Sequence, residues 1–339
     1  MDRARGVCSV VVMNTATPAP STVPFDLGVD AAQRSTGADA GIAPDPASSA
    51  AAADAPSTAS PSPSALPRPR LPWGARVVLT MIAMVIAAFG SLPLMLVPGF
   101  QAASASRDPM TAVLALLAMT GLTCAVYILL SWALMRGIDR RPFRDLGLAI
   151  TPRAVLGLLA GMGIALVVTV LGTGAVQALG LGRMPAGEVD FGQAPLWMLI
   201  IAIIAQAFLL QGIGEEVLFR GYLLRSLPHR PAVAVLISAA AFGILHLVSQ
   251  GGQENVAERF LYLALPFGFA ITAGFLAQQM GTTWAAIGIH GGSHVASAVA
   301  MALGLVADGP AVWVVIGVLF TLAGVAVHLL GRRREASGV

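Results

Sequence analysis

The chain has 339 residues, of which 56% are hydrophobic and only 11% are charged, with a formal net charge of +3. Apolar runs near twenty residues long recur along it, which excludes a soluble globular domain and predicts a polytopic membrane protein. Two cysteines in unrelated contexts exclude a disulfide framework, and nothing resembles a nucleic-acid-binding module, so no nucleic-acid partner is expected.

The first 72 residues differ in composition from the rest of the chain. The stretch "PDPASSAAAADAPSTASPSPSALPRPR" is rich in Ala, Pro, Ser and Thr and contains almost no large apolar side chain. Such a segment cannot bury enough apolar surface to offset the entropy lost on folding. We therefore predict a disordered cytoplasmic tail over residues 1–72, and a short basic tail over residues 332–339.

Eight apolar segments lie between the two tails, and they predict an all-α fold with about eight transmembrane helices. We divide them into N-terminal transmembrane helices, residues 73–180, and a membrane core, residues 181–331. The spans are placed at residues 76–98, 110–134, 154–179, 196–225, 232–250, 259–279, 283–305 and 310–330.

The arginines alternate between the loops that join these spans. All twenty basic residues are arginine, as is typical of a GC-rich bacterial genome. The loops on one side hold Arg68, Arg70, Arg76, Arg136, Arg140, Arg141, Arg144, Arg153, Arg225, Arg230, Arg332, Arg333 and Arg334. The loops on the other side hold only Arg107, Arg183 and Arg259. By the positive-inside rule this pattern predicts a multi-pass protein of the cell membrane with both termini cytoplasmic.

Ionisable residues lie inside three of the spans, where a charged side chain costs roughly 2.5–3.5 kcal/mol on insertion scales. Three of the five histidines of the chain are among them. At a rise of about 1.5 Å per residue, the three spans bring these groups to depths of roughly 10–21 Å below the cytoplasmic surface. The residues are Glu215, Glu216 and Arg220 in span four, His246 in span five, and His290 and His294 in span seven.

The helical spacing gives the two glutamates different surroundings. Glu216 and Arg220 are four residues apart and share a helix face, so we expect them to pair. Glu215 projects about 100° away from that pair and is left for chemistry with the histidines. In span seven, the motif "GIHGG" contains a G-x-x-x-G spacing that permits close approach of a neighbouring helix.

Less specific interpretations account for each residue taken singly. A lone intramembrane histidine is more often a hydrogen-bond partner between helices, and a Glu–Arg pair is more often structural. For Phe242, simple packing is the default. A free glutamate with three histidines at one depth favours a reaction site over these alternatives. A proton-coupled transporter would also use such residues, but here they form one layer and no path across the membrane.

The same residues resemble the signature of the CPBP family of intramembrane proteases, which includes type II CAAX prenyl endopeptidases and bacterial Abi proteins. That signature is E-E-x-x-x-R, then F-x-x-x-H, then H-x-x-x-N. Here "EEVLFR" and "FGILH" match the first two elements in full. The third, "HGGSH", matches only at its first residue, because His294 stands where the family has asparagine. The resemblance covers residues 195–305.

The resemblance implies an intramembrane endopeptidase with a four-helix catalytic core. Its substrate would be a membrane-embedded or lipid-anchored peptide or protein within the lipid bilayer. The roles it implies are activation of water by Glu215 and His246, stabilisation of the oxyanion by His290 and His294, and support by Glu216 and Arg220.

Two alternatives stay open beside this assignment. Family members have been called metalloproteases, and Glu215, His246, His290 and His294 are also a credible ligand set for zinc. No H-E-x-x-H motif is present, and a Glu/His water mechanism needs no ion. Because His294 departs from the family pattern, a catalytically inactive scaffold or immunity protein of the same fold is the alternative function.

Overall fold

The computed structural model describes residues 69–184, 195–249 and 251–337, and these residues are predominantly helical, with no strand among them. The predicted all-α fold is confirmed. The predicted disordered tail lies outside the described residues except for its last four positions. The helices are α1 (Trp73–Ala88), α2 (Leu92–Met95), α3 (Pro98–Ser104), α4 (Pro109–Leu134), α5 (Pro152–Ala178), α6 (Leu196–Ser226), α7 (Pro231–Leu245), α8 (Val256–Tyr262), α9 (Ala264–Met280), α10 (Trp284–Ala302) and α11 (Pro310–Ser337).

Seven helical stretches of the described chain are long and apolar enough to cross a membrane. They correspond to predicted spans one to six and eight. The predicted seventh span is α10, a helix of 19 residues that carries two histidines and two adjacent glycines in its middle. These residues make α10 less apolar than the seven stretches, and its central residues are buried within the bundle.

Several helices begin at residues that the sequence supplies for that purpose. The Asp108 side chain accepts a hydrogen bond from the backbone N–H of Thr111 at 2.8 Å and so caps α4. Thr151 does the same for Ala154 at the start of α5, at 3.1 Å. In both helices the next residue is proline, which has no N–H to leave unpaired in a first turn.

Helix α6 is not a regular α-helix. Two π-helical segments, Ala205–Gly212 and Val217–Leu223, lie on either side of a single α-helical turn, Ile213–Glu216. Their i→i+5 hydrogen bonds widen the helix and shift which side chains share a face. Such segments are frequent at functional sites, and here they flank the two adjacent glutamates.

The most extensive helix contacts join α5 to α10 and α9 to α11. Between α5 and α10 the backbones approach closely at glycines. A Cβ atom on Gly161 would lie 2.7 Å from the backbone nitrogen of Ile289, and one on Gly288 would lie 2.9 Å from the carbonyl carbon of Leu158. The close helix approach predicted from the G-x-x-x-G spacing is therefore present, and α5 is the partner.

The loops gather at two ends of the helix bundle. At the arginine-rich end, Arg141 donates a hydrogen bond to the carbonyl of Arg225 at 2.8 Å, and the N–H of Thr283 donates to the carbonyl of Gly147 at 3.1 Å. We call this the arginine-rich end because the loops that meet there are those with most of the arginines.

At the opposite end, Arg183 joins three loops. Its backbone forms two hydrogen bonds with Asp308, at 2.8 and 2.9 Å. Its guanidinium forms ion pairs with Glu254, at 3.3 Å, and with Glu258. The described loops thus separate into the two groups that the arginine count predicts, while the side of the membrane that each group faces stays a prediction.

Candidate functional site

Helix α6 places both glutamates and Arg220 in the interior of the bundle. The exposed fractions are 8% for Glu215, 0% for Glu216 and 1% for Arg220. The carboxylate of Glu216 accepts a hydrogen bond from Nη1 of Arg220 at 3.0 Å, so the ion pair expected from their spacing is present. Burial of both partners makes each charge dependent on the other.

The carboxylate of Glu216 also contacts His290, a contact that the spacing does not predict. Oε1 of Glu216 lies 3.0 Å from Nδ1 of His290, and the same oxygen accepts from Arg220. From the sequence, with a regular α-helix assumed, Glu215 was expected to meet His290. Because a carboxylate can only accept, Nδ1 of His290 carries the proton, and its Nε2 faces away from Glu216.

Glu215 differs from Glu216 in the hydrogen bonding of its carboxylate. Its Oε2 atom is buried and has no hydrogen-bond partner among the described residues. Gly214 lies directly against the ring of Tyr127 on α4, since a Cβ there would come within 2.6 Å of Cδ2 of that ring. The absence of a side chain at this position lets α4 wall the site. Glu215 is therefore held at a buried position with an acceptor oxygen available.

His246 is the first residue after α7 and begins a short 3₁₀ turn, His246–Val248. Its Nδ1 lies 2.9 Å from the carbonyl oxygen of Phe242 and donates to it. This hydrogen bond leaves Nε2 as a lone-pair acceptor. The predicted fifth span continued to residue 250, whereas the helix ends at Leu245. His246 thus lies where the α-helix changes to a 3₁₀ turn, and it is half-buried.

His290 and His294 lie one turn apart on α10 with their rings stacked, 5.4 Å between centroids. His290 is buried and His294 is half-buried. The i,i+4 spacing of the two histidines therefore puts both imidazoles on one side of α10.

The ring of Phe242 lies at the centre of the cluster. Its centroid is 4.5 Å from that of His246 and 6.0 Å from that of His290. The guanidinium carbon of Arg220 lies 5.0 Å from the same centroid, within cation–π range. Phe219 and Phe269 complete the aromatic wall, at 5.1 and 5.3 Å.

Sequence reasoning did not identify Tyr127, Phe219 or Phe269 as part of the site. An aromatic residue in an apolar helix carries no signal that separates a site wall from ordinary packing. The packing expected for Phe242 is present, together with a contact to the charged Arg220 that the pattern did not predict.

The donor atoms of the site do not form a ready metal-binding set. Across residues 69–184, 195–249 and 251–337, no three His, Cys, Asp or Glu side chains come together as ligands for one ion. The Nδ1 atoms of His246 and His290 contact a carbonyl and a carboxylate, so only the Nε2 atoms of these two rings remain as nitrogen ligands. The zinc hypothesis for Glu215, His246, His290 and His294 stays a prediction.

Comparison with known families identifies one region of the chain. Residues 194–296 match the family described as Rce1-like, type II CAAX prenyl endopeptidase Rce1-like. The matched segment runs from just before α6 into α10 and includes all six candidate site residues. No curated protein matches the chain.

Proposed function

We propose that the protein is an intramembrane endopeptidase, because its residues 194–296 match the Rce1-like type II CAAX prenyl endopeptidase family, a match consistent with the CPBP family. Its substrate would be a membrane-embedded or lipid-anchored peptide. The observation that supports the proposal is the meeting of α6, α7 and α10 at Arg220, Phe242 and His290, in a cluster whose neighbouring glutamate, Glu215, has an Oε2 without a partner within the described chain.

Glu215 and His246 would activate the attacking water. The free Oε2 of Glu215 and the lone pair on Nε2 of His246 are both acceptors, and a water between them could lose a proton to either. The water oxygen would then attack the scissile carbonyl carbon. The proton would pass to the leaving amine as the carbon–nitrogen bond breaks.

His290 and His294 would stabilise the negative charge on the carbonyl oxygen. With Nδ1 directed at Glu216, His290 can donate to the oxyanion through Nε2 only as an imidazolium. His294, stacked on His290, would donate from the neighbouring position. Donors held in place before the reaction are effective because they need not reorganise as charge develops.

The aromatic wall would exclude water and strengthen these interactions. Phe219 and Phe242 lie beside the guanidinium of Arg220, and Phe269 lies beside the ring of His290. Coulombic interactions grow as the effective dielectric constant falls, so a carboxylate and imidazolium here interact more strongly than in water.

The test is peptide cleavage by the purified full-length protein in proteoliposomes. One probe is a farnesylated peptide ending in C-a-a-X, and the other is an unprenylated transmembrane peptide. We expect the wild-type protein to cleave at least one probe and Glu215→Gln to cleave neither. Equal turnover by both proteins would remove Glu215 from the mechanism, and wild-type inactivity on both would favour the non-catalytic scaffold.

A further inference from the structure

An apolar groove lies on the outer surface of α4, away from the candidate site. It has a volume of about 320 Å³ and is lined by Ala125, Ile128, Leu129, Trp132 and Phe143. The four lining residues of α4 follow the i, i+3, i+4, i+7 spacing of a single helix face. Phe143, from the loop after α4, closes the groove on the side that faces the arginine-rich end of the bundle. The groove is therefore about 10 Å long and parallel to the membrane-spanning direction.

Three exposed arginines lie close in the chain to Trp132 and Phe143, the residues at the closed end of this groove. Arg136 lies one turn beyond Trp132, Arg144 directly follows Phe143, and Arg140 lies in the loop between them. All three are exposed, and the Arg144 side chain is 86% accessible. In the described structure, Arg136 and Arg140 have no ion pair, and Arg144 has only a 3.9 Å contact with Asp145.

The acidic residues near these arginines are already engaged. Asp139 is buried and pairs with Arg76 at 3.5 Å. Asp145 accepts a hydrogen bond from Nε of Arg141 at 2.9 Å. Arg136 and Arg140 thus have no acidic partner in the described structure, and Arg144 has only its 3.9 Å contact with Asp145, beside an apolar groove.

We propose that this groove binds one anionic phospholipid of the surrounding bilayer. An acyl chain lies in the groove, and the phosphate-bearing headgroup contacts Arg136, Arg140 and Arg144. The apolar lining matches hydrocarbon, and the exposed guanidinium groups match a negative headgroup at the level of the membrane surface. A net-neutral headgroup would place its own cation among the arginines, so a zwitterionic lipid binds less well.

The test measures lipid binding to the detergent-purified full-length protein. Phosphatidylglycerol and phosphatidylcholine with identical acyl chains are titrated, and bound lipid is counted by native mass spectrometry alongside the thermal unfolding midpoint. At a low mole fraction of lipid in the detergent micelle, we expect phosphatidylglycerol, but not phosphatidylcholine, to bind and to raise the thermal unfolding midpoint. Equal binding and equal stabilisation by both lipids would overturn the proposal.

Variants locate the binding to this groove. The triple variant Arg136→Gln/Arg140→Gln/Arg144→Gln should weaken phosphatidylglycerol binding about tenfold or more, because contributions of separate basic residues add. The matched control removes the same charge elsewhere, with Arg332, Arg333 and Arg334 all changed to glutamine, and should keep wild-type affinity. If the control loses as much affinity as the first variant, the effect is net charge and the assigned site is wrong.

A substitution that fills the groove tests separately whether the acyl chain of the lipid lies in it. Ala125→Phe keeps every arginine and places a ring in the groove. It should lower phosphatidylglycerol affinity while leaving the midpoint without added lipid unchanged. Unaltered affinity in this folded variant would show that the chain lies elsewhere.

Discussion

Glu215 and Glu216 are adjacent in the chain, yet their carboxylates have different partners. Glu216 is fully buried, and its Oε1 meets Arg220 and His290, both at 3.0 Å. The Oε2 of Glu215 has no partner among the residues that the structure describes. This difference supports a positioning role for Glu216 and leaves Glu215 available to act on a water.

The first prediction concerns Glu215. Glu215→Gln keeps the shape of the side chain and removes its ability to accept a proton. We expect normal membrane insertion and an unchanged unfolding midpoint, with cleavage reduced by several orders of magnitude. Initial cleavage rates and thermal scans on the same preparation check this, and wild-type turnover by the variant would contradict it.

The second prediction concerns Glu216. Glu216→Gln leaves Arg220 without a counter-charge, and breaking a buried pair typically costs about 3–5 kcal/mol. Arg220→Gln should lower the unfolding midpoint in the same way. Only Glu216→Gln also removes the negative charge that faces His290. At equal amounts of folded protein, its kcat should therefore be lower than that of Arg220→Gln. A Glu216→Gln protein of full stability without activity would instead exchange the roles of the two glutamates.

The third prediction concerns His294, where the related family has asparagine. A neutral imidazole N–H and an amide N–H can both donate to an oxyanion, so His294→Asn should retain much of the activity. If His294 were an essential zinc ligand, the substitution would abolish activity and metal content together. Metal analysis of wild type and variant, beside their cleavage rates, separates the two outcomes.

At the scale of single helices, glycines set how closely α5 and α10 approach and therefore where His290 lies. Gly161 faces the backbone of α10, where a Cβ would come 2.7 Å from the nitrogen of Ile289. Gly163, two residues along the same helix, has no atom within 4 Å of the position its Cβ would take. The two positions form a matched pair in one helix.

The fourth prediction uses that pair. Gly161→Ala should force α5 and α10 apart and lower stability by about 1–3 kcal/mol, as overpacking generally does. Gly163→Ala should be neutral or slightly stabilising, because alanine is the better helix former by about 1 kcal/mol. Unfolding midpoints in one detergent compare them. Equal midpoints for the two variants would contradict the close approach.

At the scale of the whole molecule, loop contacts separate the chain into an arginine-rich end and an opposite end. At the opposite end, Arg183 forms backbone hydrogen bonds with Asp308 and ion pairs with Glu254 and Glu258. The arginine-rich end is joined by contacts such as that of Arg141 with the carbonyl of Arg225. These contacts support the alternation of loops on which the orientation rests.

The fifth prediction is the orientation itself. Reporter fusions after Ala311 should report the exterior, and fusions after Arg334 should report the cytoplasm, because the excess of arginine marks the cytoplasmic side. Fusions after Arg144 provide an internal control for the same side as Arg334. The reverse pattern would invert the orientation and with it the leaflet of the proposed lipid site.

The helices and most of the site residues follow from local patterns in the sequence. Apolar runs long enough to span a bilayer predict the helices, and an i,i+4 spacing predicts the pair of Glu216 with Arg220, since both depend on neighbours in the chain. The contact of Glu216 with His290, 74 positions apart, was decided only by tertiary structure. It depends on the π-helical segments of α6, which redirect side chains relative to a regular helix. It also depends on glycine-mediated packing of α10, which sets the position of that histidine. The walls formed by Tyr127, Phe219 and Phe269 were likewise decided by the tertiary structure, because apolar side chains in apolar helices acquire a specific role only through what packs against them.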